Sequence, residues 1–212
     1  MGASRRCARD STRGNPPYAP LERAESHMIR TYRREKLINA IIYFASHTEK
    51  CGVTKLMKLL FFLDFTHFKQ TGKSVTGMDY FAWKKGPVPQ ALWFELTKGM
   101  RPDLASAIGI IPYDNFKKIV VKKDFDSEFF TKRETRLLEQ IAEIFYDTSA
   151  ELTVEVAHLP NEPWHKTLVE KGERKRIDFL LAIDRTPQSL TIEEANERME
   201  EISEMHKAFG VD

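Results

Sequence analysis

Long apolar runs are missing from this 212-residue chain. No window approaches the ~18 uncharged apolar residues of a bilayer span. The longest run, Leu59 to Leu63, is a core-helix segment, and no membrane partner is expected. Cysteine is scarce: Cys7 and Cys51 form neither a disulfide framework nor a metal-ligand pair, which fits a reducing cytoplasm. The chain also lacks a glycine-rich phosphate loop, a G-x-S-x-G elbow, an H-E-x-x-H helix and a carboxylate ladder. No catalytic residue, cofactor or metal is therefore expected. A basic surplus is missing too. Of 33 Lys and Arg and 31 Asp and Glu, five and three lie in residues 1–27, leaving 28 of each beyond. Non-specific grip on phosphate backbones calls for an excess that this neutral body does not have.

What is present divides unevenly along the chain. Residues 1–27 are rich in Arg, Ser, Gly and Pro with almost no aliphatics, and are expected to be a disordered tail or non-native leader. They hold no apolar signal core, and Arg6 stands where a myristoylation motif needs Ser or Thr. Ser26-His27-Met28 resembles a cloning junction, with Met28 a plausible start. Residues 28–212 are expected to form a single globular domain.

From Arg33 to Lys50, Leu37, Ile38, Ile41, Ile42, Phe44 and Ala45 recur at helical spacing. A second helix over about 54–70 is apolar round most of its circumference and reads as the buried central element. Its solvent stripe is predicted at Lys55, Lys58, Thr66 and Lys69. Residues 75–83 read as irregular or extended. Gly86 then closes a corner, and Pro87 is placed in the first turn of a helix to about Thr97. Residues 99–115 read as loop with one turn of helix, and 117–123 as a short strand. Thr131 and Glu134 form a capping box opening a helix with Leu137, Leu138, Ile141, Ile144 and Phe145 inward. A short helix over Ser149–His158 precedes a Pro160–Pro163 loop. Residues 177–183 fit strand or helix equally. Thr191 and Glu194 form a second box, after which Ile192, Ala195, Met199, Ile202, His206 and Phe209 make one narrow seam on an acidic helix, expected to dock on its own domain. The fold class predicted is mainly α (α+β), a compact helical domain with one small β element.

Asp64 is the anomaly. On a wheel of about 100° per residue it falls opposite the lysine stripe, between Leu60 and Phe68, where a lone carboxylate is costly. His67, one turn on, is a candidate partner. One reading makes Asp64, His67 and His158 a polar pocket of a small metal- or acid/base-dependent enzyme. The other makes Asp64 a structural bond that fixes helix register or holds the following loop, and this is preferred because buried polar groups are generally paired. A zinc site from Asp64, His67, His158 and His165 has no ligand spacing behind it. Phe62, with Lys58 beside it, falls inside the lysine stripe and is the candidate partner-binding spot unless its own chain covers it. A helix-turn-helix at Gly52 would have too apolar a second helix for a DNA groove.

Lys55-Leu-Met-Lys58-Leu59-Leu60-Phe61-Phe62, Asp64, His67 and Gly72, followed by Ala82-Trp83-Lys-Lys-Gly86-Pro87-Val88, resemble the signature of the Panacea (SocA-like) antitoxin family, also described as phage-associated GepA-type proteins. Glu151-Leu152-Thr153, His158 and Pro163-Trp164 resemble a later family feature, so the likeness covers about residues 35–168, followed by a C-terminal helical segment over about 177–209. Residues 77–80 depart from the acidic-Pro stretch of the family pattern, and the last 40 or so residues match nothing in it. The resemblance implies a cytoplasmic bacterial or prophage protein that binds and neutralises a cognate toxin, with delivery of the toxin to a protease as a further role in the family. It assigns Lys55, Leu59, Leu60, Trp83, Gly86, Pro87 and Trp164 to the scaffold, and leaves residues 99–130 and 165–212 as candidates for the toxin contact.

Overall fold

The computed structural model describes residues 19–160 and 162–208, with side chains from Arg33 onward. The helices are α1 (Ala19–His47), α2 (Val53–Thr71), α3 (Gln90–Lys98), α4 (Pro102–Ala107), α5 (Lys132–Ile144), α6 (Ala150–Ala157), α7 (Pro163–Lys171) and α8 (Ile192–Ala208). The strands are β1 (Phe81–Trp83), β2 (Gly86–Val88), β3 (Ile108–Tyr113) and β4 (Phe116–Val121). Short 3-10 turns occupy Ser127–Phe129 and Phe179–Ala182. The protein is mainly α, with two small antiparallel two-stranded sheets, β1–β2 and β3–β4.

Helix α2 is the axis. Leu56, Leu59, Leu60 and Leu63 are fully shielded from solvent, and α1, α3, α5, α6 and α8 all pack on it. A helix apolar on nearly every side must be covered on nearly every side, and here five helices do so. It ends at Gly72, whose left-handed backbone (φ 71°) lets its amide cap the Phe68 carbonyl. The Thr131–Glu134 capping box forms reciprocally and starts α5, whose Leu137, Leu138 and Ile141 are buried. Ile144, expected inward, is instead 68% exposed, because α5 ends there and the chain turns away.

Several local expectations are corrected. Helix α1 begins at Ala19, and residues 1–18 of the expected tail or leader lie outside the described residues. Pro87 sits in β2, not in a helix, and α3 starts only after Pro89. Residues 99–115 contain the expected helical turn, α4, but β3 stands where loop was expected. Pro112 is tolerated in β3 because a two-stranded ribbon leaves edge positions that need no amide donor. The β3–β4 turn is the two-residue Asp114-Asn115, with Asp114 left-handed (φ 49°) and Tyr113 facing Phe116 across it. Residues 177–183 resolve into the 3-10 turn at Phe179–Ala182. The C-terminal helix α8 packs on α2, where Ala195 is buried and Arg198 lies against Gly72; Ile192 and Met199 stay exposed, and Phe209 lies outside the described residues.

Candidate functional site

Asp64 is fully buried on α2, and the loop that follows the helix folds back to meet it. Its Oδ1 accepts the amides of Val75 (2.8 Å) and Thr76 (2.7 Å), and its Oδ2 accepts the hydroxyls of Thr76 (2.5 Å) and Tyr80 (2.7 Å). Burial pushes the carboxyl up from its ordinary range, while these four donors pull the other way. The four donors fill both oxygens of an acceptor-only carboxylate, so the group fastens residues 75–80 to the centre of the fold. Its partners lie eleven to sixteen residues ahead, not one helical turn ahead at His67. His67 Nδ1 donates to the Lys73 carbonyl (2.6 Å) on the far side of the Gly72 cap, and burial lowers its basicity.

His158 belongs to a third place. Its ring stacks on Trp164 (centroids 3.7 Å apart, planes 8° apart), and the Trp164 indole N–H donates to the Trp83 carbonyl (2.9 Å). The stack lies against the backbone of Gly86, where φ is 100°. A Cβ built on Gly86 would stand 2.8 Å from Lys58 Cε and 2.9 Å from His158 Nε2, so only glycine lets the β1–β2 corner pass between these two side chains. No hydrogen bond joins any two of Asp64, His67 and His158, and no three described His, Cys, Asp or Glu side chains converge as metal ligands would. The structure thus separates the proposed polar cluster into three independent contacts.

The lysine stripe is also redrawn. Lys55 and Lys58 are 0% and 1% exposed. Lys55 Nζ donates to the carbonyls of Glu49 (2.9 Å) and Tyr146 (3.2 Å), just beyond the C-termini of α1 and α5, where orphan carbonyls carry partial negative charge. Lys58 Nζ donates to the Pro87 carbonyl (2.8 Å) and meets no carboxylate among the described residues; burial lowers its pKa to about 7. Phe62 is half-buried and stacks on Phe145 (5.0 Å, 7°). Phe62 is covered by Phe145 at the end of α5 and Lys58 by the β1–β2 corner: a helical wheel gives an angle, not what packs on it.

The residues of the recurring pattern therefore converge. Leu59 and Leu60 fill the core, Lys58 holds the carbonyl of Pro87, and Gly86 passes between Lys58 and the His158–Trp164 stack, which is tied in turn to Trp83. Within the segment that builds this junction, a family model described as antitoxin SocA-like, Panacea domain, matches residues 56–165, more than half of the chain. The chain belongs to the SocA-like Panacea antitoxin family. No curated protein and no solved structure matches it. In this Panacea domain the matched stretch runs from Leu56, the fourth residue of α2, through the start of α7, so the family pattern and the packed junction are the same part of the molecule. Among the described residues no helix is long and apolar enough to cross a membrane.

Sequence reasoning missed the His158–Trp164 stack and the burial of Lys58. The short distance from His158 to Pro163-Trp164 was a usable signal for the first. Nothing local signalled the second, because what covers Lys58 comes from residues some thirty positions on in sequence.

Proposed function

We propose that this Panacea-family protein neutralises a cognate toxin protein by binding it directly in the cytoplasm. The observation that carries the reading is the family match, whose residues Lys58, Pro87, Trp83 and Trp164 are joined to one another in one packed junction. The enzyme alternative draws no support, because Asp64, His67 and His158 are each held by a separate part of the chain.

The contact surface is assigned to residues 99–130 and 165–212. Within the first, the β3–β4 hairpin presents Ile111 (43% exposed) and Tyr113 (47% exposed), with Lys118 Nζ 5.0 Å above the Tyr113 ring. A rigid ribbon tip with an aromatic anchor and a cation beside it suits a protein partner. Nucleic acid is not proposed as the partner, given the balanced charge beyond residue 27. Delivery of the bound toxin to a protease is a second, separable role.

Co-expression with the neighbouring open reading frame tests the reading. Rescue from toxicity with co-purification of the two products supports it. Toxicity that this protein does not relieve overturns it. Repeating the rescue in a protease-deficient host separates simple binding from delivery for degradation.

A further inference from the structure

We propose that the cavity between α2, the β1–β2 turn and residues 173–174 binds a small planar organic anion, a carboxylate or phosphate group carried on a flat ring. The cavity shares Glu173 and Arg174 with the segment 165–212 assigned to the toxin contact, but the proposal does not rest on that assignment.

The cavity measures about 310 Å³, within the range of about 300–1,000 Å³ usual for small-molecule sites. Its charge is one-sided. Lys58, Lys84, Lys85 and Arg174 line it against one acid, Glu173, and among the described residues none of the four cations is paired with a carboxylate. Lys58 is the deepest of them. Among the described residues its ammonium has one acceptor, the Pro87 carbonyl, and no counter-ion, although a buried cation costs several kcal/mol unless compensated. An anion in the cavity would supply that compensation.

The walls specify the rest of the ligand. Trp83 and Trp93 both line the cavity with ring centroids 5.0 Å apart and planes 60° apart, a corner offering one indole face and one indole edge. Trp83, whose buried Nε1 has no acceptor among the described residues, lines the same cavity as Lys58. Arg174 places its guanidinium 5.4 Å from the Trp83 ring centroid and does so from a left-handed backbone (φ 62°), an unfavourable state for a residue with a side chain. That backbone conformation is held by the Arg174 amide, which donates to the Ala82 carbonyl (2.6 Å). A scaffold needs none of these three costs together: an uncompensated ammonium, an unused indole donor and a strained arginine. A site for a flat anion uses all three, by charge, hydrogen bond and stacking.

The test is titration of the intact protein, followed through the backbone amide resonances of residues 83–88 and 174. Benzoate, benzamide and acetate form one series; AMP, adenosine and inorganic phosphate form the other. The expected result is saturable shifts at millimolar or lower concentration with benzoate, AMP or both, and affinity at least about tenfold weaker for the uncharged and the ring-free members. Which series binds identifies the anion as carboxylate or phosphate. Lys58→Met should weaken binding by on the order of ten- to a hundredfold, the range for losing a charge-assisted contact. If that variant does not fold, the exposed-turn pair Lys84→Ser with Lys85→Ser carries the same expectation of weakened binding. Two results overturn the proposal: no probe perturbs these amides, or benzamide and adenosine bind as tightly as their charged counterparts.

Discussion

The hydroxyl of Tyr80 donates to Asp64 across 2.7 Å, and both residues are fully shielded from solvent. This bond, with the three others on the same carboxylate, converts the irregular segment after α2 into a fixed platform for β1. The Tyr80 carbonyl in turn accepts the amide of Ile177 (2.8 Å), so the Asp64 contact also anchors the chain that carries Arg174. The charge at the centre of the fold is thus spent on geometry.

Asp64→Ala should leave two amides and two hydroxyls unpaired in a dry site and cost about 3–5 kcal/mol. Asp64→Asn should cost much less, on the order of 1–2 kcal/mol. Its amide oxygen can still accept from Val75 and Thr76 N–H, and its NH₂ can donate to the Thr76 and Tyr80 hydroxyl oxygens. Urea unfolding of the two variants checks the order. Equal losses would mean that ionic charge, rather than hydrogen-bond matching, holds the segment.

Gly86→Ala meets two penalties at one position, a left-handed backbone and a Cβ within 3 Å of Lys58 and His158. A loss of about 2–4 kcal/mol is expected from strain plus overpacking. Gly99→Ala provides the control, since its φ of 155° is also unfavourable but no atom lies within 4 Å of the added carbon. Thermal unfolding should rank Gly86→Ala well below Gly99→Ala.

Lys58 gives the protein a pH dependence with a definite sign. Its pKa is about 7 when folded, against an ordinary 10.5. Between those values the unfolded chain binds the extra proton, so stability rises as pH rises from about 7 toward 10.5. Below about 7 the lysine is charged in both states and its cost is complete. Lys58→Met should flatten the slope and, with the stem volume kept, stabilise the protein at pH 7 by about 1–3 kcal/mol. Denaturant midpoints at pH 7 and pH 9.5, wild type against variant, read this directly.

On the surface, Ile111→Ser with Tyr113→Ser should leave the unfolding midpoint within about 0.5 kcal/mol of wild type, because both side chains are exposed. The same pair should abolish rescue in the co-expression assay. Phe62→Leu should do the reverse, lowering stability through the lost Phe145 stack while sparing rescue.

Much of this architecture was legible in the sequence, for identifiable reasons. The Thr131–Glu134 and Thr191–Glu194 boxes are local, and both form as read. The apolar circumference of α2 announced its central position. The strands were harder. β1 and β2 are three residues each, too short for period-two alternation to register, and β3 contains Gly109 and Pro112. Lys55 and Lys58 were misread because lysine at one angle of a helix normally means water, whereas here backbone carbonyls just beyond helix ends and within β2 receive the two ammonium groups. The anomaly of Asp64 was visible, but its partners were not, since the loop bringing Thr76 and Tyr80 back is specified only by the folded chain.

The central claim is that this Panacea protein acts by occupying its toxin. Titrating the purified protein against the purified toxin's activity, with no protease present, tests it most directly. Inhibition that grows linearly and is complete at an equimolar amount is the result predicted. Complete inactivation by a small fraction of an equivalent, growing with time, would show turnover and contradict the account.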